Sequence, residues 1–180
     1  MAGTNKVGIY DFSEVVLLIK HRMYRGNILI QGFMNESGIT IDRAAEDWTM
    51  NNSADNTATT MVYNPDKSGT ITFSLNQSTD SLDKMNAICD YAKRVKHPSI
   101  LFETTLVDKT SRTIYFSPQS LAGYPQSVSF EKTEQGREFK ILCSDLQEKI
   151  GGSSFVPQDT QEILAAFGIT VDDSWTFVNN

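Results

Sequence analysis

The clearest structural signal in this sequence is the stretch Thr70-Ile71-Thr72-Phe73-Ser74-Leu75-Asn76, in which polar and apolar residues alternate without a break. Because successive side chains of a β-strand point to opposite faces, the stretch predicts a strand with one face in a core. Further strands are predicted on both sides of it, at residues 7–19, 27–33, 39–42, 58–63, 99–107, 113–116, 128–132 and 137–143. The chain is therefore expected to be mainly β.

One segment follows a helical period instead. Its apolar residues recur every three or four positions, at Leu82, Met85, Ile88, Cys89, Ala92 and Val95. Thr79, Asp80 or Ser81 can cap its start, and Pro98 prevents its continuation. The pattern predicts one amphipathic helix over about residues 80–97, roughly four turns long, with one face available to cover a sheet.

Residues 46–56 form a polar stretch in which Trp48 and Met50 are the only large apolar residues. The composition predicts a long exposed loop. Isolated exposed Trp is uncommon outside interfaces, so Trp48 and Met50 are candidates for contact with an adjacent subunit. The alternative, that Trp48 folds back on its own sheet, is equally compatible with the pattern.

Charge is distributed unevenly along the 180 residues. The chain has 16 Lys and Arg against 22 Asp and Glu, which gives a net charge of −6. This charge argues against nucleic-acid binding that depends on neutralising the phosphates. Residues 151–180 hold four acids (Asp159, Glu162, Asp172, Asp173) and no Lys or Arg, so this segment carries −4 and residues 1–150 carry −2. The length and this asymmetry predict one β domain over residues 1–150 and a C-terminal extension or arm over residues 151–180.

The C-terminal arm is predicted to begin after the break at Gly151-Gly152 and to include a short helix over residues 158–167, ended by Gly168. A helix of about ten residues is marginal alone in water, so it forms only if its apolar stripe docks. The candidate anchors are Ile163, Leu164, Phe167, Trp175 and Phe177. We expect an ordered arm, and the alternative is a disordered tail.

Catalytic and metal-binding patterns are missing from the sequence. His21 and His97 have no nucleophile or ligand motif nearby and are expected on the surface, and the acidic pairs Glu46-Asp47 and Asp172-Asp173 lie in polar, solvated stretches. Cys89 and Cys143 are predicted to be reduced and buried, with a disulfide as the alternative. We expect no enzyme activity, cofactor or metal.

No membrane segment is expected either. The longest strongly apolar run, residues 15–19, is far below the roughly 20 residues that a spanning helix needs. The first residues lack the features of a signal peptide, so the chain is expected to be soluble and not exported.

Five segments, in this order and spacing, resemble a known family. They are residues 7–15 (VGIYDFSEV), 38–47 (GITIDRAAED) with 53–57 (SADNT), 67–75 (KSGTITFSL), 77–82 (QSTDSL) and the hairpin at 130–139. Together they resemble the tail tube proteins of contractile-tailed bacteriophages, which are virion structural proteins. The likeness covers about residues 6–150, and the last thirty residues depart from the family pattern.

The resemblance implies a sandwich or barrel-like fold of two packed antiparallel sheets with one flanking helix, besides the short C-terminal helix. It implies hexameric rings stacked into a hollow tube with a continuous β-barrel wall, through which DNA passes during genome ejection without specific binding. The implied partners are further copies of the chain, the tail sheath protein and the tape-measure protein. The implied location is the virion tail, and the host cytoplasm during assembly.

Strand alternation then nominates residues to line the lumen. The polar positions opposite the core of two strands are Thr40, Asp42, Thr70, Thr72 and Ser74. Two other classes of function remain open. One is a monomeric β-sandwich module that binds a glycan or peptide, and the other is an enzyme with a site assembled from scattered residues. The absence of clustered aromatics in the sequence weighs against the first.

Overall fold

The computed structural model describes residues 11–34, 38–54, 57–126, 128, 135–149, 151, 162–163 and 165–168. The strands in these residues are β1 (Val15–His21), β2 (Ile28–Ile30), β3 (Thr40–Arg43), β4 (Trp48–Asn52), β5 (Thr59–Tyr63), β6 (Gly69–Asn76), β7 (Phe102–Asp108), β8 (Thr113–Gly123), β9 (Gly136–Cys143) and β10 (Gln147–Lys149). One long helix, α1 (Asp80–Val95), and two 3₁₀ turns, Phe12–Glu14 and Pro98–Ile100, complete them.

The strands form two sheets. The larger has eight strands in the order β2-β1-β7-β8-β9-β6-β3, with β10 paired to β8, and the smaller is the two-stranded pair β4-β5. The predicted mainly β class, with two antiparallel sheets and one helix, is confirmed. The opening hairpin predicted from residues 7–33 is present as the antiparallel pair β1 and β2. The smaller sheet is an exposed ribbon, because every residue of β4 and β5 is exposed.

The chain divides into two compact units, the larger spanning Leu17–Thr105 and Phe116–Gln147. Its centre is the pairing of β6 with β9, which runs in register from Gly69 opposite Cys143 to Asn76 opposite Gly136. Ile71, Phe73 and Leu75 are at most 1% exposed, so the face predicted from the alternation is the core face. Phe73 stacks on Phe139 with the ring centroids 6.1 Å apart.

Helix α1 covers part of this unit and is held there at two points. The Ser81 hydroxyl accepts a hydrogen bond from the Gln31 backbone N–H at 2.9 Å, just after β2. Further along the helix, the Tyr124 hydroxyl donates to the Asp90 carboxylate, and this bond raises the pKa of Tyr124 to about 12. The helix ends two residues before the predicted position 97, because Lys96 adopts a left-handed conformation with φ 47°.

The smaller unit contains the described residues of Met1–Val16, Leu106–Tyr115 and Glu148–Asn180. Lys109 fixes the first 3₁₀ turn, since its backbone N–H donates to the Glu14 carbonyl and its ammonium lies 3.4 Å from the Glu14 carboxylate. The Gly151 N–H donates to the Thr113 hydroxyl at 3.2 Å. Residues 162–163 and 165–166 are helical, and Gly168 has φ +71°, in agreement with the predicted helix and its end.

Three predictions about single segments are wrong, and the first is the end of the strand predicted at residues 113–116, which continues to Gly123 as β8. Residues 48–52 form strand β4 and are not part of a loop. The stretch lacks a buried face, so its Trp-Thr-Met alternation carried too few apolar residues to indicate a strand. His21 is 6% exposed and not a surface residue, because the last residue of β1 packs under α1. Cys89 and Cys143 are free and buried, as predicted.

Candidate assembly surfaces

The five residues nominated for a lumen lie together on one polar face of the large sheet. Thr40 is opposite Thr72 and Asp42 is opposite Thr70 across the β3-β6 pair. Directly paired residues of antiparallel strands project to the same face, and the three nominated residues of β6 alternate with residues of the core. We call this face, together with its β9 residues below, the polar platform.

Strand β9 extends the polar platform with residues that are not among the predicted lumen residues. Leu142, Lys140 and Glu138 lie opposite Thr70, Thr72 and Ser74, respectively, and all three are exposed. The alternation of residues 136–143 contains the signal that would have found them. Their pairing with β6 is a long-range contact that the local sequence does not contain.

The charges of the polar platform nearly balance. Asp42 and Glu138 supply two carboxylates and Lys140 one ammonium, with the Lys140 nitrogen 3.7 Å from a Glu138 oxygen. Within the described residues, no cluster of three or more His, Cys, Asp or Glu side chains could hold a metal ion. The surface is a flat, weakly acidic array of hydroxyls, which is suited to contact with water or with a solvated polyanion.

The exposed ribbon, β4 with β5, presents an apolar face of four side chains. Trp48 pairs with Tyr63, their ring centroids 5.1 Å apart, and Met50 pairs with Met61. These four side chains are 49–65% exposed. Met61 and Tyr63 were not nominated from the sequence, since only cross-strand pairing brings them to Trp48 and Met50.

Hydrogen bonds and an ion pair hold both ends of the exposed ribbon. At its base, the Arg43 guanidinium lies 2.6 Å from the Asp47 carboxylate, and this contact lowers the pKa of Asp47. The Asn64 N–H also donates to the Asp47 carbonyl at 2.8 Å. At the tip, the Ser53 hydroxyl accepts from the N–H groups of Thr57 and Ala58. The apolar face is therefore displayed on a fixed hairpin.

Two of the nominated anchors of the C-terminal arm are described, and both face solvent. Ile163 is 56% exposed and Phe167 is 80% exposed. The positions Leu164, Trp175 and Phe177 lie outside the described residues. The amide of Phe167 donates to the carbonyl of Ile163 at 3.2 Å, a helical bond that puts both side chains on one face.

A groove of about 600 Å³ lies between α1 and the turn that joins β1 to β2. We call it the helix groove, and its walls include His21, Tyr24, Leu29, Ile88, Tyr91 and Arg94. No local sequence pattern indicates this groove, because its two walls are more than fifty residues apart in the chain.

His21 forms part of the floor of the helix groove. Its Nδ1 accepts a hydrogen bond from the Met23 N–H at 3.1 Å, and its ring meets the edge of Tyr91 at 5.4 Å. Burial lowers the pKa of His21, an effect that the Ile100 backbone opposes. The imidazole is therefore held in its neutral form, with Nδ1 as the acceptor.

No helix in the described part of the chain has the length and apolarity to cross a bilayer. No protein-family model matches the chain. It is 26% identical over 175 residues to a protein named structural protein ORF10 of Pseudomonas phage KPP10, a match that covers 97% of this chain and 99% of the relative. The chain is therefore related over nearly its whole length to a structural protein of a phage.

Three solved structures superpose on most of the chain at low identity. The tube-terminating cap of the anti-feeding prophage is 6% identical, with a TM-score of 0.46, over 84% of this chain and 95% of that one. The sheath/tube terminator of the extracellular contractile injection system PVC, in its extended state, is 9% identical, with a TM-score of 0.46, over 82% of this chain and 99% of that one. A chain of the anti-feeding prophage baseplate is 10% identical, with a TM-score of 0.49, over 82% of this chain and 97% of that one. At these scores no residue of this chain takes a role from them.

Proposed function

We propose that this chain is a structural subunit of a phage tail tube, with no enzymatic role. In this proposal six copies form a ring, and stacked rings enclose a lumen through which DNA passes during ejection. The subunit is made in the host cytoplasm and ends in the tail of the virion. The sheath protein contacts the tube from outside, and the tape-measure protein occupies its lumen.

The observation that carries the proposal is the polar platform. The three strands β3, β6 and β9 are adjacent, and β6 and β9 bury Ile71, Phe73, Leu75, Phe139 and Ile141 on one face. The other face presents hydroxyls and charges that nearly balance. A duct for DNA must not bind its cargo, and a surface with one excess negative charge offers no cluster of cations to the phosphates. The full-length relationship to a phage structural protein supports the same role.

The exposed ribbon supports self-assembly. Its four large apolar side chains, Trp48, Met50, Met61 and Tyr63, form a contiguous patch on a projecting hairpin. Patches of this kind are typical of protein interfaces. We infer that the apolar face of the ribbon packs on an adjacent copy, and that the rims of neighbouring sheets complete the wall of the tube.

Electron microscopy of the concentrated full-length protein tests the proposal. A Ser74→Cys variant, labelled with a gold-cluster maleimide, should form tubes with metal density along the tube axis. The native thiols are buried, and burial together with Asp90 raises the pKa of Cys89 to about 11, so they should not compete for the label. The matched control is Asp83→Cys, an exposed position on α1 outside the polar platform and the exposed ribbon, which should leave the axis free of metal density.

If the protein stays monomeric at every concentration and salt condition, the result would contradict the proposed tube. It would favour the alternative function, a monomeric β-sandwich module that binds a glycan or peptide. Gold on the outer surface of tubes made from the Ser74→Cys variant would contradict the assignment of the polar platform to the lumen, while leaving the tube itself in place.

A further inference from the structure

The helix groove has the dimensions of a binding site for a short helix. Residues of α1 line it from Lys84 to Arg94, which corresponds to about 15 Å along the helix axis. Its volume of about 600 Å³ falls within the range of pockets that bury ligands, about 300–1,000 Å³. An amphipathic helix laid in an apolar groove is one of the recurring modes of protein recognition.

The apolar floor of the helix groove has cations at its edges. Lys84 and Arg94 are the cations that line it, and Lys84 is engaged by Asp80 at 2.8 Å. The charge of Arg94 acts on the nearby Tyr124 hydroxyl. The turn that forms the opposite wall carries Arg22 and Arg25, both exposed. The groove is therefore suited to an acidic partner with a narrow apolar stripe.

Residues 158–167 have the complementary chemistry. The helix predicted there is also about 15 Å long, and the segment from residue 151 to the end has four acids and no Lys or Arg. Ile163 and Phe167 share one helical face and are 56% and 80% exposed in the single chain. An exposed apolar stripe on a short acidic helix needs a docking surface to be stable.

We propose that the helix groove receives the acidic C-terminal helix of a second copy of the chain. Ile163 and Phe167 enter the apolar floor beside Ile88 and Tyr91, and the acidic side chains, Glu162 among them, face Arg94 and the arginines of the turn. This inference rests on the proposed self-assembly, and it names a contact that links one subunit to the next. The complementary charges give the contact its orientation and make it sensitive to salt.

Cross-linking between full-length copies tests the contact. One copy carries Ala87→Cys in the groove and a mass tag, and the other carries Ala166→Cys next to the apolar stripe. Both positions are exposed. Under assembly conditions, a short bismaleimide should join the tagged and untagged copies. Gln119→Cys, an exposed position on β8, replaces Ala87→Cys as the matched control and should give no product above background.

Charge reversal provides the second readout. Arg94→Glu in the Ala87→Cys copy should reduce the yield of the mixed product by about fivefold or more, because a like charge would then face the acidic helix. Lys67→Glu, a reversal outside the groove, should leave the yield unchanged. Restoration of the product by Glu162→Arg in the second copy would strengthen the assignment.

The results separate this inference from the proposed function. If tubes form without the mixed product, the result overturns this inference and leaves the proposed tube function standing. If the mixed product forms without tubes, the result overturns the proposed tube function and leaves the inferred contact standing. A product formed only when Ala87→Cys and Ala166→Cys are in the same chain also overturns the inference, because the occupant is then the chain's own helix. Equal yields from the Gln119→Cys control overturn it as well.

Discussion

At the scale of single residues, the surroundings of His21 and His97 give the same local contact two different consequences. Each imidazole accepts a hydrogen bond through Nδ1 from the N–H group two residues later, Met23 in one case and Ser99 in the other. His97 is exposed, whereas His21 is 6% exposed and packs against Tyr91. Because the His21 ring packs against Tyr91, its protonation is coupled to the packing of α1.

His21 should make the stability of the protein depend on pH. Because burial lowers its pKa in the folded state, the unfolded chain binds the proton more readily. The contribution of His21 to the free energy of unfolding should therefore be complete above the ordinary His pKa of about 6.5, and it should decrease as the pH falls below that value. In His21→Asn, whose amide oxygen can still accept from Met23, the slope between about pH 7.5 and about pH 5 should flatten.

Urea denaturation at a series of pH values measures this slope. The matched comparison is His97→Asn, which removes the exposed imidazole that accepts from the Ser99 N–H. An unchanged slope in His21→Asn would show that other groups cause the dependence.

At the scale of elements, the exposed ribbon and the core strand β6 both alternate apolar and polar residues, but the apolar side chains are exposed in the ribbon and buried in β6. In β6 the apolar positions are at most 1% exposed, whereas in β4 the apolar positions Trp48 and Met50 are each 60% exposed. A two-stranded hairpin alone is marginally stable in water, so the ribbon depends on its fixed base and on cross-strand pairs such as Trp48 with Tyr63. Such an element fits a role in contact between subunits.

Trp48→Ala should impair assembly while leaving the monomer folded. The loss of the contact with Tyr63 should cost the monomer no more than about 1 kcal/mol. If Trp48 is a central interface residue, its truncation costs about 2 kcal/mol or more, so the concentration needed for assembly should rise about thirtyfold. Sedimentation of assembled protein against concentration measures this shift.

Thr49→Ala, on the opposite face of the same strand, is the matched control and should assemble like the unmodified protein. If Trp48→Ala assembles at the same concentration as the unmodified protein, Trp48 is not part of the interface.

At the scale of the whole molecule, the chain combines a closed core with several open surfaces. The polar platform, the exposed ribbon and the helix groove are each built within the larger unit, and the described part of the C-terminal arm belongs to the smaller one. Each of the first three is complete in one chain, yet each of them presents at least one large apolar side chain to solvent. That combination fits a subunit whose folding precedes its assembly.

Removal of residues 153–180 should weaken assembly without unfolding the subunit. The truncated chain keeps Gly151, whose N–H bonds to Thr113, and loses the acidic arm, which we expect to lie ordered on the tube exterior. The melting temperature of the monomer should change by no more than a few degrees, whereas tubes should form in lower yield and lose heat resistance. Equal yield, length, heat resistance and sheath binding in truncated and full-length tubes would leave the arm without a structural role.

Elements with a local signal could be predicted from the amino-acid sequence. The alternation of residues 70–76 gave β6 with its correct buried face, and the spacing from Leu82 to Val95 gave α1 to within two residues of its end. The free, buried state of Cys89 and Cys143 also followed from residue chemistry. These features depend on side chains close in the chain, whose periods of two and 3.6 residues can be read directly.

The residues that share a surface although they are distant in the chain became known from the folded structure. The place of β9 beside β6 added Glu138, Lys140 and Leu142 to the polar platform, and the β4-β5 register brought Met61 and Tyr63 to Trp48 and Met50. The burial of His21 required α1 to pack beside the first hairpin. These outcomes depend on contacts between segments far apart in sequence, which single-segment patterns do not encode. An exposed strand such as β4 escapes detection for a related reason, since its residues bury no face that would impose a pattern.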